Sequence, residues 1–355
     1  MGYNISGIQQ IGLGNASVYD TWEWYRLHFG MDLPVFDEAA EAGLMLPYTD
    51  GKPQQRHAVL ALNYNGGGGM EIWQYTSRTP VGPTNKVQFG DLGILCTKFK
   101  SRDIQSHFQH CESNQIKLLS KLTTDGHGIQ HFYCEDPWGN LIEVFEGSDW
   151  FNKTDHPSGG VGGATLGVTD IEKSAAFYRD ILGYDKVISD VSGTFNDLGG
   201  LHADGKEYRR LLMTHSNPRQ GAFSKLLGNT SIELVQCLDR KPNQVFEGRL
   251  WGDLGYIHLC FDVHGMEDLK STCVNAGHPF TVDSAESFDM GEAAGRFAYV
   301  EDPDGTLIEF VEAHKIPIIK KLGWYLDLTK RDPKKSLPAY FFSAMALSRK
   351  KSSVV

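Results

Sequence analysis

Apolar residues recur along this chain in short segments that repeat one pattern four times. Each segment opens with an apolar strand, continues with an amphipathic helix and closes with two or three strands. The last strand of each segment carries a glutamate between apolar neighbours. The pattern predicts four units with the element order βαβββ. These units span residues 6–77, 88–147, 160–240 and 252–313.

Two pairs of repeated motifs relate the units to one another. The motif EDPWGNLIEVFEG (135–147) returns as EDPDGTLIEFVEA (301–313), and TWEWYRLHFGM (21–31) is matched by SAAFYRDILGY (174–184). Unit one therefore resembles unit three, and unit two resembles unit four, which is the signature of internal duplication. The D-P-x-G segment itself is typical of a tight hairpin turn and is no evidence of chemistry.

Glycine and proline mark the expected boundaries. The two matched helices should end at glycine C-caps, Gly30 and Gly183. PVGPTNK (80–86) and HPSGGVGG (156–163) are typical of linkers. We therefore expect residues 1–150 and 160–313 each to hold a pair of units, with residues 314–355 as a C-terminal extension.

Charge is unevenly distributed along the chain. The extension at 314–355 holds ten Lys and Arg against two Asp, a net charge of about +8 within a total of −10. The remaining residues carry about −18, which argues against broad nucleic-acid binding. The extension mixes basic with aromatic residues, a composition that also suits a membrane surface. We favour instead an arm that packs on the acidic body, because three prolines interrupt any long helix.

The remaining composition indicates a cytoplasmic protein. The six cysteines form no CxxC pair, as expected for reduced thiols. No apolar segment reaches the length of a membrane span, and the N-terminus lacks the order of a signal peptide.

Glutamates at equivalent positions are the candidate chemical groups. Glu71, Glu143, Glu233 and Glu309 each lie inside the closing strand of a unit. A carboxylate on a half-buried strand costs free energy unless it is paired or binds a metal. A single such residue could simply face solvent at an edge, but four at one position indicate that the repeated unit kept the carboxylate for a reason.

Four βαβββ units with a first-strand His or Gln and a last-strand Glu resemble the vicinal oxygen chelate superfamily, over about residues 6–313. Its members include glyoxalase I, extradiol dioxygenases and bleomycin resistance proteins. The resemblance implies an α+β fold in which paired units curl into two half-open barrels. In that family the cleft of a barrel holds a divalent metal, ligated by a first-strand and a last-strand residue from each unit.

The resemblance also implies a ligand set. The first-strand position is Gln10 in unit one, Gly163 in unit three and His258 in unit four. In unit two it falls on Asp91, Gly93 or Ile94, depending on one gap, so no ligand is clear there.

Pairing the units in order gives two incomplete sites. Pairing one with four gives the full set Gln10, Glu71, His258 and Glu309 and leaves only Glu143 and Glu233 for the other cleft. We prefer this second pairing.

By the same resemblance the set is that of glyoxalase I, with Glu309 as the primary base and Glu71 as ligand and second base. Imidazole, carboxylate and amide oxygens suit Zn, Ni, Co, Mn or Fe(II). We therefore predict an isomerase or lyase that acts on a small oxygenated substrate through a metal-chelated enediolate.

Several alternatives stay open. One is an Fe(II) dioxygenase that cleaves catechol or hydroquinone rings, although Gln10 stands where such an enzyme would carry a histidine. Another is a metal-free binding or resistance protein. No glutathione-binding cluster stands out, so glutathione stays an open question. Four fused units can form both barrels in one chain, which favours a monomer over a dimer.

Overall fold

The strands of all four units are present in the computed structural model, which describes residues 2–125, 128–201, 203, 205–285, 288–289, 294–319 and 324–350. The strands of units one and two are β1 Asn4–Gly14, β2 Leu33–Glu41, β3 Gln55–Leu62, β4 Gly69–Tyr75, β5 Gly93–Ser101, β6 Lys117–Leu118, β7 Thr123–Thr124, β8 Gln130–Glu135 and β9 Leu141–Glu146. Those of units three and four are β10 Ser158–Gly167, β11 Lys186–Gly193, β12 Tyr208–Thr214, β13 Ser231–Cys237, β14 Gly255–His264, β15 Val282–Asp283, β16 Phe288–Asp289, β17 Ala294–Glu301 and β18 Leu307–Ile319. A further strand, β19 Trp324–Asp327, follows the last unit.

One helix follows the first strand of each unit. These four helices are α1 Val18–Phe29, α2 Ile104–Ser113, α3 Ile171–Asp180 and α5 Met266–Asn275. Two further helices, α4 Ser224–Leu227 and α6 Ala339–Met345, precede β13 and follow β19. Ser17 caps the N-terminus of α1 by accepting from the backbone of Asp20, and Gly30 ends the helix in the left-handed conformation, as predicted. In α3 the C-cap is Ile181, and Gly183 lies in the turn beyond it with φ 72°.

Two sheets arise by pairing across the length of the chain. The first sheet has the order β15-β17-β18-β14-β1-β4-β3-β2, and the second has the order β11-β12-β13-β10-β5-β9-β8-β6. Antiparallel pairing of β1 with β14 joins units one and four, and pairing of β5 with β10 joins units two and three. The predicted α+β fold is confirmed, and so is the pairing of unit one with unit four. Each sheet takes one unit from residues 1–150 and one from 160–313.

The repeated helix and turn motifs meet in the core. Tyr25 of α1 donates a hydrogen bond of 2.9 Å to Asp136 in the first D-P-x-G turn. Tyr178 of α3 donates one of 3.0 Å to Asp302 in the second turn. All four residues are buried, so the turn aspartates also anchor a helix from the preceding unit. Sheet hydrogen bonds thus join units one and four, whereas these contacts join unit one to two and unit three to four.

The segment predicted as a linker at 156–163 is a strand from Ser158 onwards, so that prediction was wrong. Its glycines are buried where the two sheets approach closely. A Cβ on Gly160 would lie 2.4 Å from the carbonyl oxygen of Gly68, and one on Gly67 would lie 2.8 Å from Gly160 Cα. The composition that suggests a flexible linker therefore serves close backbone packing.

The C-terminal extension packs on the body over its described part, as expected. Leu337, Phe341 and Phe342 are buried in a cluster with Leu33 and Leu226. The six cysteines are unpaired and buried, in agreement with reduced thiols. Within the described ranges, no helix has the length and apolar character needed to cross a membrane.

Candidate metal centre

Four central strands of the first sheet bring the predicted ligands together. Gln10 lies on β1, Glu71 on β4, His258 on β14 and Glu309 on β18. Gly12 is the shared neighbour: it pairs with Glu71 on one side and with His258 on the other. Because side chains alternate along a strand, this register sets the four polar groups on one face.

The polar atoms of these residues converge. Nε2 of His258 lies 3.2 Å from Glu71 Oε2 and 3.1 Å from Glu309 Oε2. Nε2 of Gln10 donates to the same two oxygens at 3.2 and 3.5 Å. The ligand atoms of Glu71, His258 and Glu309 all lie within 4.8 Å of one another. The four residues are at most 8% exposed, so two carboxylates share a site that is nearly closed to water.

The electrostatics of the cluster follow from two acids and one base in a buried space. Burial alone would lower the pKa of His258, but Glu309 and Glu71 outweigh it and raise the pKa to about 10. Burial would raise the pKa of Glu309, and the charge of His258 reverses this and lowers it. The imidazolium therefore acts as the cation that holds the two carboxylates together.

The donor set fits a divalent metal. Oε1 of Gln10 and Nδ1 of His258 are buried and make no hydrogen bond with the described part of the chain. Rotation of the Gln10 amide by half a turn would exchange its nitrogen for this unpaired oxygen and direct it at the two carboxylates. One imidazole, two carboxylates and one amide oxygen would then face a common point. Such a mixed set suits Zn, Ni, Co, Mn or Fe(II).

Aromatic residues wall the cluster. The Trp251 ring is nearly parallel to that of His258, with centroids 6.4 Å apart, and Tyr299 meets His258 edge-on at 5.6 Å. Trp73 contacts Trp251 at 4.7 Å. Trp251 comes from the connection between β13 and β14, and its carbonyl accepts a hydrogen bond from Tyr75. This connection was not predicted as part of the site, since Trp251 belongs to none of the repeated motifs.

A cavity of about 600 Å³ adjoins this wall. It shares Trp251 and Ile257 with the aromatic cluster beside the ligands. Most of its lining side chains are apolar, and the polar ones include Asp50, Gln244, Arg249 and Thr306. The volume and the lining are those of a small-molecule site.

The second sheet holds the other two glutamates in a different setting. Glu143 and Glu233 occupy the positions that Glu309 and Glu71 hold in the first sheet. The pairing of Thr165 with Cys96 sets Cys96 at the first-strand position of unit two, rather than Asp91, Gly93 or Ile94. Cys96 lies 40 residues before the turn aspartate Asp136, whereas His258 lies 44 residues before Asp302, so this segment is four residues shorter in unit two.

Comparison with known proteins agrees with this architecture. The sequence profile of the Glyoxalase/Bleomycin resistance protein/Dioxygenase superfamily matches residues 7–144 and 160–310. Glyoxalase I from Zea mays has a similar structure, with 15% identity, a TM-score of 0.54 and coverage of 87% of this chain and 92% of that chain. A provisionally named dioxygenase from Bacillus subtilis is similar too, with 14% identity, a TM-score of 0.55 and coverage of 87% and 86%.

At such identities these likenesses show the fold alone. A comparison with curated protein sequences yields no match. The profile, by contrast, spans both halves of the chain and includes all four predicted ligands. This chain therefore belongs to the Glyoxalase/Bleomycin resistance protein/Dioxygenase superfamily.

Proposed function

We propose that this protein is a metal-dependent enzyme that binds one divalent ion through Gln10, Glu71, His258 and Glu309. The reaction is a proton transfer within a small oxygenated substrate, as in a glyoxalase-like isomerase or lyase. The observation that carries the proposal is the convergence of Glu71, His258 and Glu309 beside an unpaired amide oxygen. Burial makes that arrangement costly without a second positive charge, because two carboxylates share one imidazolium.

When bound, the metal supplies Lewis-acid stabilisation to two adjacent substrate oxygens and so acidifies the carbon–hydrogen bond next to them. Glu309 takes the proton from that carbon and returns it to the neighbouring one. The charge of His258 lowers the pKa of Glu309, so the carboxylate is ionised at neutral pH. Glu71, on the opposite side of His258, would hold the cation and could serve as a second base. Tyr299 and Trp251 exclude water, so the proton returns to the substrate rather than to solvent.

The cavity beside Trp251 holds the part of the substrate that does not react. Its apolar lining favours an uncharged or aromatic body, and the few polar groups would fix orientation. The reacting oxygens would then reach the ligands past Trp251 and Ile257, which border both spaces.

The ligand set favours proton transfer over oxygen chemistry. Non-haem Fe(II) oxygenases use two histidines and one carboxylate and leave three positions open. The cluster here has one histidine, two carboxylates and an amide, which would leave two positions of a six-coordinate ion for other ligands. Two positions suffice for a chelated substrate but leave none for O₂.

Metal content is the decisive measurement. The protein is purified without chelator, and bound metal is measured by inductively coupled plasma mass spectrometry, before and after reconstitution with Zn, Ni, Co, Mn and Fe(II). We expect about one equivalent per chain, lost in His258→Ala. Cys96→Ala is the matched control, because Cys96 holds the same register position in the second sheet.

The other outcomes discriminate between functions. Tightly bound iron, with O₂ uptake in the presence of catechols or hydroquinones, would replace the proposal with a dioxygenase. If the unmodified and Cys96→Ala proteins both bind no metal after reconstitution, the proposal is wrong and a metal-free binding protein is the better description.

A further inference from the structure

A lysine ammonium lies between the two glutamates of the second sheet. Nζ of Lys98 is 2.8 Å from Glu143 Oε2 and 2.8 Å from Glu233 Oε2. The three residues are 3–6% exposed, so this is a buried bridge rather than a surface ion pair. Burial alone would lower the pKa of Lys98, but Glu143 and Glu233 outweigh it and raise the pKa, so the ammonium stays charged.

Strand register shows which position of the first sheet Lys98 matches. Lys98 pairs with Gly163 on one side and with Glu143 on the other. In the first sheet the residue that pairs with Gln10 and Glu309 is Cys260. A buried cation in one cleft thus corresponds to a neutral thiol in the other.

Arg210 is a second cation in the second cleft, and it too has an uncharged counterpart in the first sheet. Nε of Arg210 lies 2.7 Å from Glu233 Oε1, and a guanidinium nitrogen lies 2.8 Å from Asp197. Arg210 pairs with Val235, two residues beyond Glu233. The equivalent residue in the first sheet, opposite Trp73, is Ala58. The second cleft therefore carries two fixed positive charges that the first cleft lacks.

The remaining contacts complete this network. Nδ1 of His131 lies 3.0 Å from Glu143 Oε1, and its Nε2 lies 3.9 Å from Asp197. Thr165 donates to Glu233 at 3.0 Å, and Arg210 donates to the Tyr133 hydroxyl at 3.3 Å. Each carboxylate oxygen of Glu143 and Glu233 thus has a positively charged or hydrogen-bonding neighbour.

We propose that the Lys98 ammonium takes the place of a divalent metal in the second cleft, so that this half of the protein is held together by an internal cation and binds no metal. Two carboxylates need about two positive charges wherever they are buried. In the first cleft the His258 imidazolium supplies one, and a divalent ion that displaced its Nε2 proton would supply both. In the second cleft Lys98 and Arg210 supply two, and His131 lies between Glu143 and the third carboxylate, Asp197.

The test uses proteins with His258→Ala, so that the first cleft contributes no metal ligand set. Lys98→Met removes the internal cation and keeps both glutamates. We expect this double variant to melt at a lower temperature in EDTA than the His258→Ala protein does. Millimolar Mn²⁺ or Zn²⁺ should raise its melting temperature again by several degrees. For this recovery the carboxylates of Glu143 and Glu233 must move towards the ion, since metal–oxygen distances are about 2.0–2.2 Å.

Lys100→Met in the same background is the matched control. Lys100 is a buried lysine two residues further along β5, and its ammonium contacts Asp149 rather than a glutamate pair. We expect it to lose stability without any recovery by metal. Lys98→Met/Glu143→Gln, which restores the charge balance without a cation, should fold and be insensitive to metal.

Two results would overturn the proposal. One is an unchanged melting temperature of the Lys98→Met protein with either metal. The other is a bound metal equivalent in His258→Ala that Glu233→Gln removes, because the second cleft would then be a metal site already. This second measurement uses the native Lys98 and stays informative even if the Lys98→Met protein fails to fold.

The reverse experiment places a lysine in the first cleft, and its outcome rests on the proposed function. Cys260→Lys introduces an ammonium at the matching position of the first cleft, and we expect loss of the metal equivalent that the unmodified protein binds. If the unmodified protein holds no metal, the proposed function fails, whereas the Lys98→Met experiment still tests the role of Lys98.

Discussion

Gly12 and His258 face each other on adjacent strands, and the absence of a side chain on Gly12 makes room for the imidazole. A Cβ at Gly12 would lie 2.5 Å from Cε1 and 2.7 Å from Nε2 of His258. The equivalent pair in the second sheet is Thr165 and Cys96. Thr165 is larger than Gly12, and Cys96 is smaller than His258. The first sheet therefore has space for a histidine at this position, whereas the side chain of Thr165 fills the equivalent space in the second sheet.

Gly12→Ala should therefore weaken metal binding. An added methyl group must displace the His258 ring, since real Cβ atoms do not approach other atoms so closely. We expect metal affinity to fall by roughly 10-fold or more, as for other changes that misplace a ligand. The measurement is a competition titration with a chromophoric chelator.

Gly43→Ala is the control for this substitution. Gly43 is exposed, and among the described residues the nearest atom to a Cβ there would be Oε1 of Glu41, at 3.7 Å. Equal metal affinity in the Gly12→Ala and Gly43→Ala proteins would contradict the role of His258 as a ligand.

Glu309→Gln should abolish proton transfer while leaving the protein folded. The amide keeps the shape and one ligand oxygen but cannot accept a proton, so turnover should fall by roughly 10²–10⁴-fold. A panel of 2-hydroxy ketones and thiol adducts of 2-oxoaldehydes provides the assay, with deuterium uptake from D₂O as the direct readout. Glu312→Gln is the control, because Glu312 lies on the same strand and accepts from the backbone of Gly265 instead. Unchanged deuterium uptake in the Glu309→Gln protein would assign the base to another residue.

Most of the fold could be predicted from the repeats, because duplicated motifs reveal units even when strand boundaries are uncertain. The linker at 156–163 was the exception: glycine-rich composition is typical of both flexible segments and tightly packed strands. What decides between them is the contact of Gly160 with Gly67 and Gly68, which are distant in sequence.

The candidate ligands could be named from the sequence, because each lies at a fixed place in a repeated strand. Cys96 could not, since unit two is four residues shorter than unit four between the first strand and the D-P-x-G turn, and the repeats do not show where the gap lies. Lys98 and Arg210 lie outside the aligned glutamate positions, and only strand pairing brings them to Glu143 and Glu233. Trp251 comes from a connection with no counterpart in the repeat.

Four histidines form a separate cluster between α1, α2 and the segment before β10. Nδ1 of His28 lies 3.1 Å from Nε2 of His110, and the rings of His107 and His156 lie 6.3 Å apart. Burial lowers the pKa of each, and mutual repulsion lowers that of His28 further, to about 4. The cluster is therefore stable only while its members are neutral.

Acid should loosen this cluster. A histidine with a lowered folded-state pKa stabilises the fold fully above about 6.5, and this stability is lost as pH falls towards the folded value. For His28 the window is about pH 6.5 to 4. His107→Phe removes a member that lies between the rings of Phe29 and Phe132. We expect the loss of stability between pH 7 and 5 to be smaller in this variant by on the order of 1–3 kcal/mol.

The quantity to measure is the difference in unfolding free energy between the His107→Phe and unmodified proteins at each pH, because other groups titrate in the same range. Asp262 has a pKa raised to about 7 by burial, so its protonation stabilises the fold as pH falls and opposes the histidines. Urea unfolding of both proteins at each pH cancels that contribution. His57→Gln, a change to a histidine outside the cluster, should behave as the unmodified protein does. Equal pH dependence of the His107→Phe and unmodified proteins would contradict the prediction.

The C-terminal extension should stabilise the body through Phe342. This side chain is fully buried, with Phe151 at 5.1 Å and Phe341 at 5.7 Å between ring centroids. Phe342→Ala should cost about 3–5 kcal/mol of unfolding free energy, because it leaves a cavity among large apolar groups.

Tyr340 is the matched control for Phe342, two residues earlier and 77% exposed. Tyr340→Ala should change the unfolding free energy by less than about 0.5 kcal/mol. Arg349 reinforces the docking by bonding both carboxylate oxygens of Asp32, so Arg349→Ala should have an intermediate effect. A membrane anchor would behave differently: Phe342→Ala would leave stability intact and reduce binding to anionic vesicles. We expect neither result, because the aromatic side chain that a membrane would need is already enclosed by the protein.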